Sequence, residues 1–231
     1  MKPARQVVKP TTHRSVGIVN VSWLQPDGIP HESELEAAFI RYAVLCPAVR
    51  EISAQPFQLP WTDAAGADRA YVPDFQVTLL DGTKVVVEIR PARFIETDRE
   101  KFDAAARLLG QKRIDFIVIS DELLPKELQV LTRLLLRSAR GELGADLITR
   151  ADELVARAGI GGLAWNEALA SGIAERDWHH LLGRRRFVSD TGLSLRPTSR
   201  LHQPLDWPGA RDHERLQFDR WFGCQAWRPN T

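Results

Sequence analysis

Apolar and polar positions change rhythm several times along the chain, and each change marks an element. Residues 1–30, punctuated by Pro26, Gly28 and Pro30, hold no sustained period and are expected to form an irregular arm. From His31 to Leu45, the residues Leu35, Ala38, Phe39, Tyr42 and Leu45 recur at spacings of three and four or close to it. They predict an amphipathic helix stopped by Pro47. The rhythm then shortens. Ile52 to Trp61 reads as a strand, Asp63 to Asp68 with Gly66 as a loop, and Tyr71 to Leu80 as a second strand. Asp81-Gly82 predicts a hairpin turn into a third strand, Lys84 to Ile89, whose Val85-Val86-Val87 run is expected where both faces are covered. Asp98 to Leu109 reads as a helix ending at Gly110, and Ile114 to Ile119 as a short central strand.

Beyond Asp121 the pattern is mainly helical: Leu123 to Arg140, Leu147 to Ala158, Ala164 to Ser171 and Glu175 to Leu182, with Gly159, Gly161 and Gly162 in one turn. Arg186 to Leu195 reads as a hairpin turning at Thr191-Gly192, and short helices followed by a hairpin point to a winged helix. Residues 201–231 carry three prolines and three tryptophans and are expected to wrap onto the body as a tail. The order helix, strands, helix, strand predicts an α/β fold, a mixed sheet flanked by helices, followed by a mainly helical winged-helix-like domain. The expected boundaries are residues 1–30 for the arm, 31–120 for the sheet domain, 121–200 for the helical domain and 201–231 for the tail, a candidate partner-binding segment.

Composition adds exclusions. The chain of 231 residues is 44% hydrophobic and 26% charged, enough apolar material for a packed core rather than disorder. A formal net charge of +1 argues neither for nor against nucleic acid, so any DNA-binding surface must be local. Cys46 and Cys224 lack metal-ligand spacing, which speaks against structural zinc and fits a reducing compartment. The polar N-terminus and the lack of a long apolar run lead us to expect a cytoplasmic protein with no membrane association.

Three stretches carry candidate chemistry. Glu32 and Glu36, four apart, share a face of the first helix. Tyr71-Val72-Pro73-Asp74-Phe75 lies in the second strand. In Val87-Glu88-Ile89-Arg90-Pro91, Glu88 and Arg90 project from one face of the third. Hairpin pairing can bring Asp74 close to Glu88. Carboxylates and a cation converging at a strand end are what metal-assisted phosphodiester hydrolysis needs: hard oxygens for Mg²⁺ or Mn²⁺, and a basic group for water or phosphate. Taken alone, a Pro-Asp pair is more often a turn, a Glu-x-Arg a solvated strand face, and two helix glutamates a solvent face. Their conjunction is the PD-(D/E)XK nuclease arrangement of restriction-endonuclease-like folds, except at the last letter.

The stretch Pro30 to Pro91 resembles the TnsA endonuclease N-terminal family. Five features carry the likeness in order: Glu32-Ser33-Glu34-Leu35-Glu36, Gln55-Pro56, Arg69, Tyr71 to Phe75, and Val87 to Pro91. The resemblance implies a metal-dependent endonuclease subunit of a heteromeric TnsABC-type transposase. Such a subunit cuts the 5′, non-transferred strand at transposon ends, beside a TnsB-like DDE transposase and a TnsC-like AAA+ ATPase, and its second domain resembles a winged helix. It also implies Glu36, Asp74 and Glu88 as metal ligands on Mg²⁺ or Mn²⁺, with Arg90 where the family usually has lysine. Arginine is always charged and cannot act as a general base. Glu32 reads either as a further ligand or as a helix-start cap, and His31 either as a phosphate contact or as an exposed helix-start histidine.

Between Arg176 and Arg200 stand six arginines against two aspartates, the clearest basic cluster in the chain. Arg184, Arg185, Arg186 and Arg196 are the candidate DNA contacts, with capping of the preceding helix as the alternative for the first three. Arg93, Lys101, Arg107, Lys112 and Arg113 flank the proposed site and read equally as DNA contacts or a charged helix face. Two other readings remain open: a catalytically weak or inactive nuclease-fold assembly protein that binds DNA ends and recruits transposase or ATPase, which Arg90 favours, and a stand-alone restriction or repair nuclease.

Overall fold

The computed structural model describes residues 15–190, 193, 195–206 and 212–230. At its centre lies the valine-rich strand. Val85, Val86 and Val87 are all fully buried, because helices cover both faces of the sheet they belong to. That sheet has the order β3-β6-β7-β8, with β3 at Val49–Ala54, β6 at Phe75–Leu79, β7 at Lys84–Ile89 and β8 at Asp115–Ile119. Strands β3, β6 and β7 pair antiparallel, and β8 lies parallel to β7, so the sheet is mixed.

Alternation along β7 assigns its faces. Val85, Val87 and Ile89 join a large cluster with Phe39 and Ile40 of α1 (Glu34–Ala43). Val86 joins a second cluster with Phe102, Ala105 and Leu109 of α2 (Arg99–Gly110). Glu88 and Arg90 share the parity of Val86, so they leave β7 on the side that α2 covers.

Three of the expected strands are redrawn. The stretch from Ile52 to Trp61 is two strands, β3 and β4 (Leu59–Thr62), broken where Gln55 takes a left-handed φ of 45° ahead of Pro56. Strand β4 pairs with β5 (Asp68–Tyr71) as a separate ribbon, and Pro73-Asp74 interrupts what was expected to run on from Tyr71. Strand β8 lies at the edge of the sheet among the described residues rather than in its middle. It is apolar because α2 covers one face, the α1 side the other, and the Trp227 amide donates to Phe116 O across its open edge at 2.7 Å.

Residues 15–31 are ordered, against the expected irregular arm; residues 1–14 lie outside the described part. β1 (Gly17–Val21) and β2 (Gln25–His31) form an antiparallel hairpin. Pro26 and Pro30 are tolerated because a two-stranded ribbon leaves one edge of each strand without ladder bonds. The Gln25 side chain ties the hairpin to β3, accepting from Ile52 N at 2.8 Å and donating to Ile52 O at 3.1 Å.

The second half follows its periodicity closely: α3 (Lys126–Ser138), α4 (Ala145–Ala158), β9 (Leu163–Ala164), α5 (Trp165–Ala170) and α6 (Glu175–Gly183). The hairpin expected within Arg186 to Leu195 is wider. β10 (Val188–Ser189) pairs with β11 (Arg200–His202), and β11 pairs with β9, giving the order β10-β11-β9. The expected turn at Thr191-Gly192 lies outside the described residues. Helix α7 (Glu214–Phe222) returns to the first half: Tyr42 Oη donates to Trp221 O at 2.5 Å, and the Trp221 indole donates to Tyr42 O at 3.2 Å.

Candidate active site

The N-terminus of α1 and the ends of β6 and β7 meet at one cleft. It has a volume of about 530 Å³ and is lined in part by Glu32, Glu36, Asp74, Glu88 and Arg90. Hairpin register puts the acids together. Phe75 pairs with Val87, so Asp74, one residue earlier, falls opposite Glu88. Two further contacts fix Asp74: Ile89 N donates to its Oδ2 at 2.8 Å, and its own carbonyl accepts from Gln55 N at 2.8 Å. Burial, with Glu88 and Glu36 nearby, holds the Asp74 carboxyl well above the usual aspartate range. Such a shift marks a charge that lacks enough compensation.

Glu88 is 5% exposed. Tyr71 Oη donates to its Oε2 at 2.6 Å, and the Lys101 ammonium stands 3.7 Å from its Oε1. Burial raises its pKa, and Tyr71, Lys101 and Arg90 pull it back down. Glu36 plays a structural part that its expected ligand role did not include. Ser33, the N-cap of α1, accepts from Glu36 N at 3.1 Å and donates to Glu36 Oε1 at 2.8 Å, while Glu32 N donates to Glu36 Oε2 at 2.7 Å. Ser33 is thus the N-cap of α1, the cap role considered for Glu32 belongs to Ser33, and Glu36 reaches back to the Ser33 hydroxyl and the Glu32 amide just before the helix. Burial raises the Glu36 pKa, against the lowering pull of the bonds its carboxylate accepts from Glu32 N and the Ser33 hydroxyl. His31 is buried rather than exposed, its ring beside Gly17.

Arg90 lies at the cleft wall, but its guanidinium is drawn to Asp98, at 2.5 Å, and lies over the Phe94 ring. Lys101, in the first turn of α2, sits between Glu88 and Asp98 and over the rings of Tyr71 and Phe102. The sequence marked Lys101 only as a flanking charge. Its parity-matched position opposite Glu88 depends on how α2 packs over Val86.

The donor chemistry suits a hard divalent cation, since buried carboxylates that repel one another are stabilised by a positive charge among them. Among the described residues no three acidic, histidine or cysteine side chains stand in ligating geometry together. Glu36 has both oxygens turned to Ser33 Oγ and Glu32 N rather than to Asp74 and Glu88.

The candidate DNA arginines are largely engaged inside the chain. Arg184 donates to Ala139 O at 2.7 Å and Gly141 O at 2.6 Å, closing the end of α3. Arg185 donates to Cys46 O and Val49 O at 2.9 and 2.6 Å and lies against Trp23. Arg186 pairs with Asp152, and the Arg196 amide donates to Ser199 Oγ at 3.0 Å.

Residues 46–121 match the family model described as TnsA-like endonuclease N terminal. This segment is TnsA-like. It spans about a third of the chain, begins after Glu36, and contains Asp74, Glu88, Arg90 and Lys101. The match supports nuclease activity and membership of a transposase endonuclease machinery in general terms. No curated protein matches the chain. No helix among the described residues is long and apolar enough to cross a membrane.

Proposed function

We propose that the protein is a metal-dependent DNA endonuclease subunit of a TnsABC-type transposase, cutting the 5′ strand at transposon ends. The observation that carries this reading is the convergence of Glu36, Asp74 and Glu88 on one cleft within and beside the TnsA-like segment. Asp74 and Glu88 would hold Mg²⁺ or Mn²⁺, with Glu36 as a third ligand. When bound there, the cation supplies Lewis-acid charge that acidifies water and offsets charge building on the phosphate.

The chain's own residues do the rest. Ile89 N and the Gln55 amide fix Asp74, while Tyr71 fixes Glu88, so the carboxylates are held before substrate arrives. The cations Arg90 and Lys101 line the β7 end, where charge on the scissile phosphate develops. In the hydrolysis, water oxygen bonds to phosphorus as the bond to the leaving sugar oxygen breaks. Water gives up one proton and the leaving oxygen takes one, leaving one hydroxyl end and one phosphate end.

The order α4, β9, α5, α6, β10, β11 with sheet order β10-β11-β9 supports reading the second half as winged-helix-like. Most of α6 is buried, including Trp178 to Gly183, so the DNA contacts of this half would come from the hairpin side, with Arg186 and Arg196, rather than from α6 lying in a groove. The expected partners are a TnsB-like transposase and a TnsC-like ATPase.

Calorimetric titration of Mn²⁺ into the purified protein tests the reading without any partner. Saturable binding that disappears in Asp74→Ala is the expected result. Absent binding in the wild type, both alone and with a duplex DNA end present, would move the protein to the non-catalytic assembly reading that Arg90 favours.

A further inference from the structure

Arg90 occupies the position where a nuclease of this pattern needs its cation, yet its guanidinium is committed to Asp98. The same carboxylate reaches the ammonium of Lys101, with Asp98 Oδ1 at 3.6 Å, and Lys101 in turn reaches Glu88 Oε1 at 3.7 Å. Arg90, Asp98, Lys101 and Glu88 therefore form one charge relay in space, in which only the lysine touches a candidate metal ligand.

We propose that Lys101 is the cation that faces the attacking water and the scissile phosphate, and that Arg90 acts through Asp98 as a positioning residue for it. This rests on the metal-site reading above. Three features of the fold lead to it. Glu88 leaves β7 on the face that α2 covers, so the first turn of α2 arrives above the carboxylate. The path from Pro91 to Asp98 runs through two short 3₁₀ turns, Ala92–Phe94 and Glu96–Asp98, which fold the chain back and deliver Lys101 to the strand it has just left. The Lys101 ammonium lies over the Tyr71 and Phe102 rings, 5.1 and 4.8 Å from their centroids, and its side chain is 23% exposed. Two ring faces beside the ammonium favour its charge and hold it near Glu88, and the group carries three N–H donors.

The test uses Lys101→Met in the full chain. It keeps an unbranched side chain of similar length and removes the charge. If the ammonium faces the metal position, its loss relieves repulsion, and Mn²⁺ binds about tenfold more tightly by calorimetry. Cleavage of duplex DNA with Mn²⁺ falls by roughly a hundredfold, and the two readouts move in opposite directions. Lys101→Arg keeps the charge and should hold Mn²⁺ affinity near the wild-type value. A lysine with only a structural part would lower thermal stability and weaken Mn²⁺ binding together, which overturns the proposal, as does unchanged Mn²⁺ affinity in Lys101→Met. Where the wild type alone does not cut, the affinity change decides. Failure of the parent reading is a separate outcome, because the wild type would then bind no Mn²⁺ at all.

Discussion

The Tyr71 hydroxyl donates to Glu88 Oε2 at 2.6 Å, a link between the end of the β4–β5 ribbon and the central strand of the main sheet. Tyr71→Phe removes that donor and leaves a buried carboxylate short of a partner. Unfolding by denaturant should show a loss of about 1–3 kcal/mol. The Glu88 carboxyl should also titrate higher than in the wild type, seen as a shift in the pH at which Mn²⁺ binding begins.

Metal-free protein should lose stability as pH rises. The folded-state pKa of Asp74 is raised, so the folded chain holds that proton more tightly than the unfolded chain does. Its favourable contribution is complete below the unfolded value and is lost as pH climbs through the folded one. Glu36 and Glu88 are raised in the same sense. In a chelating buffer, Asp74→Asn should remove its own share of this slope and reduce that of its neighbours. Equal slopes for mutant and wild type from the aspartate range to neutrality would contradict the assignment.

Glu36 has an observed part at the start of α1 and a proposed part as a metal ligand, and the two are separable. Glutamine keeps an amide oxygen that can accept from Glu32 N, so Glu36→Gln should shift stability by no more than about 1 kcal/mol while weakening Mn²⁺ binding strongly. Ser33→Ala should do the reverse, costing about 0.5–2 kcal/mol in thermal or denaturant unfolding with Mn²⁺ binding largely kept.

Gly183 allows α6 to approach α3. A Cβ placed there would meet Leu135 O and lie 2.8 Å from the Ala139 methyl. Gly183→Ala should therefore destabilise the chain by about 1–3 kcal/mol through overpacking. A stabilised variant, as helix propensity alone predicts for Gly to Ala, would mean that the two helices separate easily.

Arg185 and Arg186 should part ways in a DNA-binding assay. Arg185→Ala strips donors from Cys46 O and Val49 O and should lower stability by about 1–3 kcal/mol, with little change in the salt dependence of DNA binding by the folded fraction. Arg186→Ala, which removes a side chain roughly half exposed beside Asp152, should flatten that salt dependence. Identical salt slopes for both variants and the wild type would take this cluster out of the DNA surface.

What the sequence made legible follows from periodicity. The pairing of Asp74 with Glu88 could be read from a hairpin turn at Asp81-Gly82 and a two-residue alternation, because hairpin register is local. The place of Lys101 could not. It depends on which turn of α2 rests on Val86, and no local spacing encodes that packing. The N-cap was written in Ser33 with Glu36 three residues on, but Glu36 also read as one of a carboxylate pair with Glu32, and that reading hid its bonds to the helix start. The β1–β2 hairpin was obscured by Pro26, Gly28 and Pro30, which punctuate a ribbon as readily as they punctuate a loop. Arg184 and Arg185 looked like surface charge because their acceptors, carbonyls of Ala139 and Cys46, lie far away in sequence.

The reciprocal hydrogen bonds between Tyr42 and Trp221 join residues 179 positions apart. The side of the sheet domain built on α1 is thus completed by a helix that leaves the ribosome long after the sheet has been made. Closing so wide a loop slows folding and keeps apolar surface around Phe39 and Tyr42 uncovered during synthesis. The TnsA-like segment, from residue 46 to residue 121, holds Asp74 and Glu88 but neither end of this clasp. Expressed alone, it would carry Asp74 and Glu88 without the closure that keeps α1, and Glu36 with it, seated at the cleft.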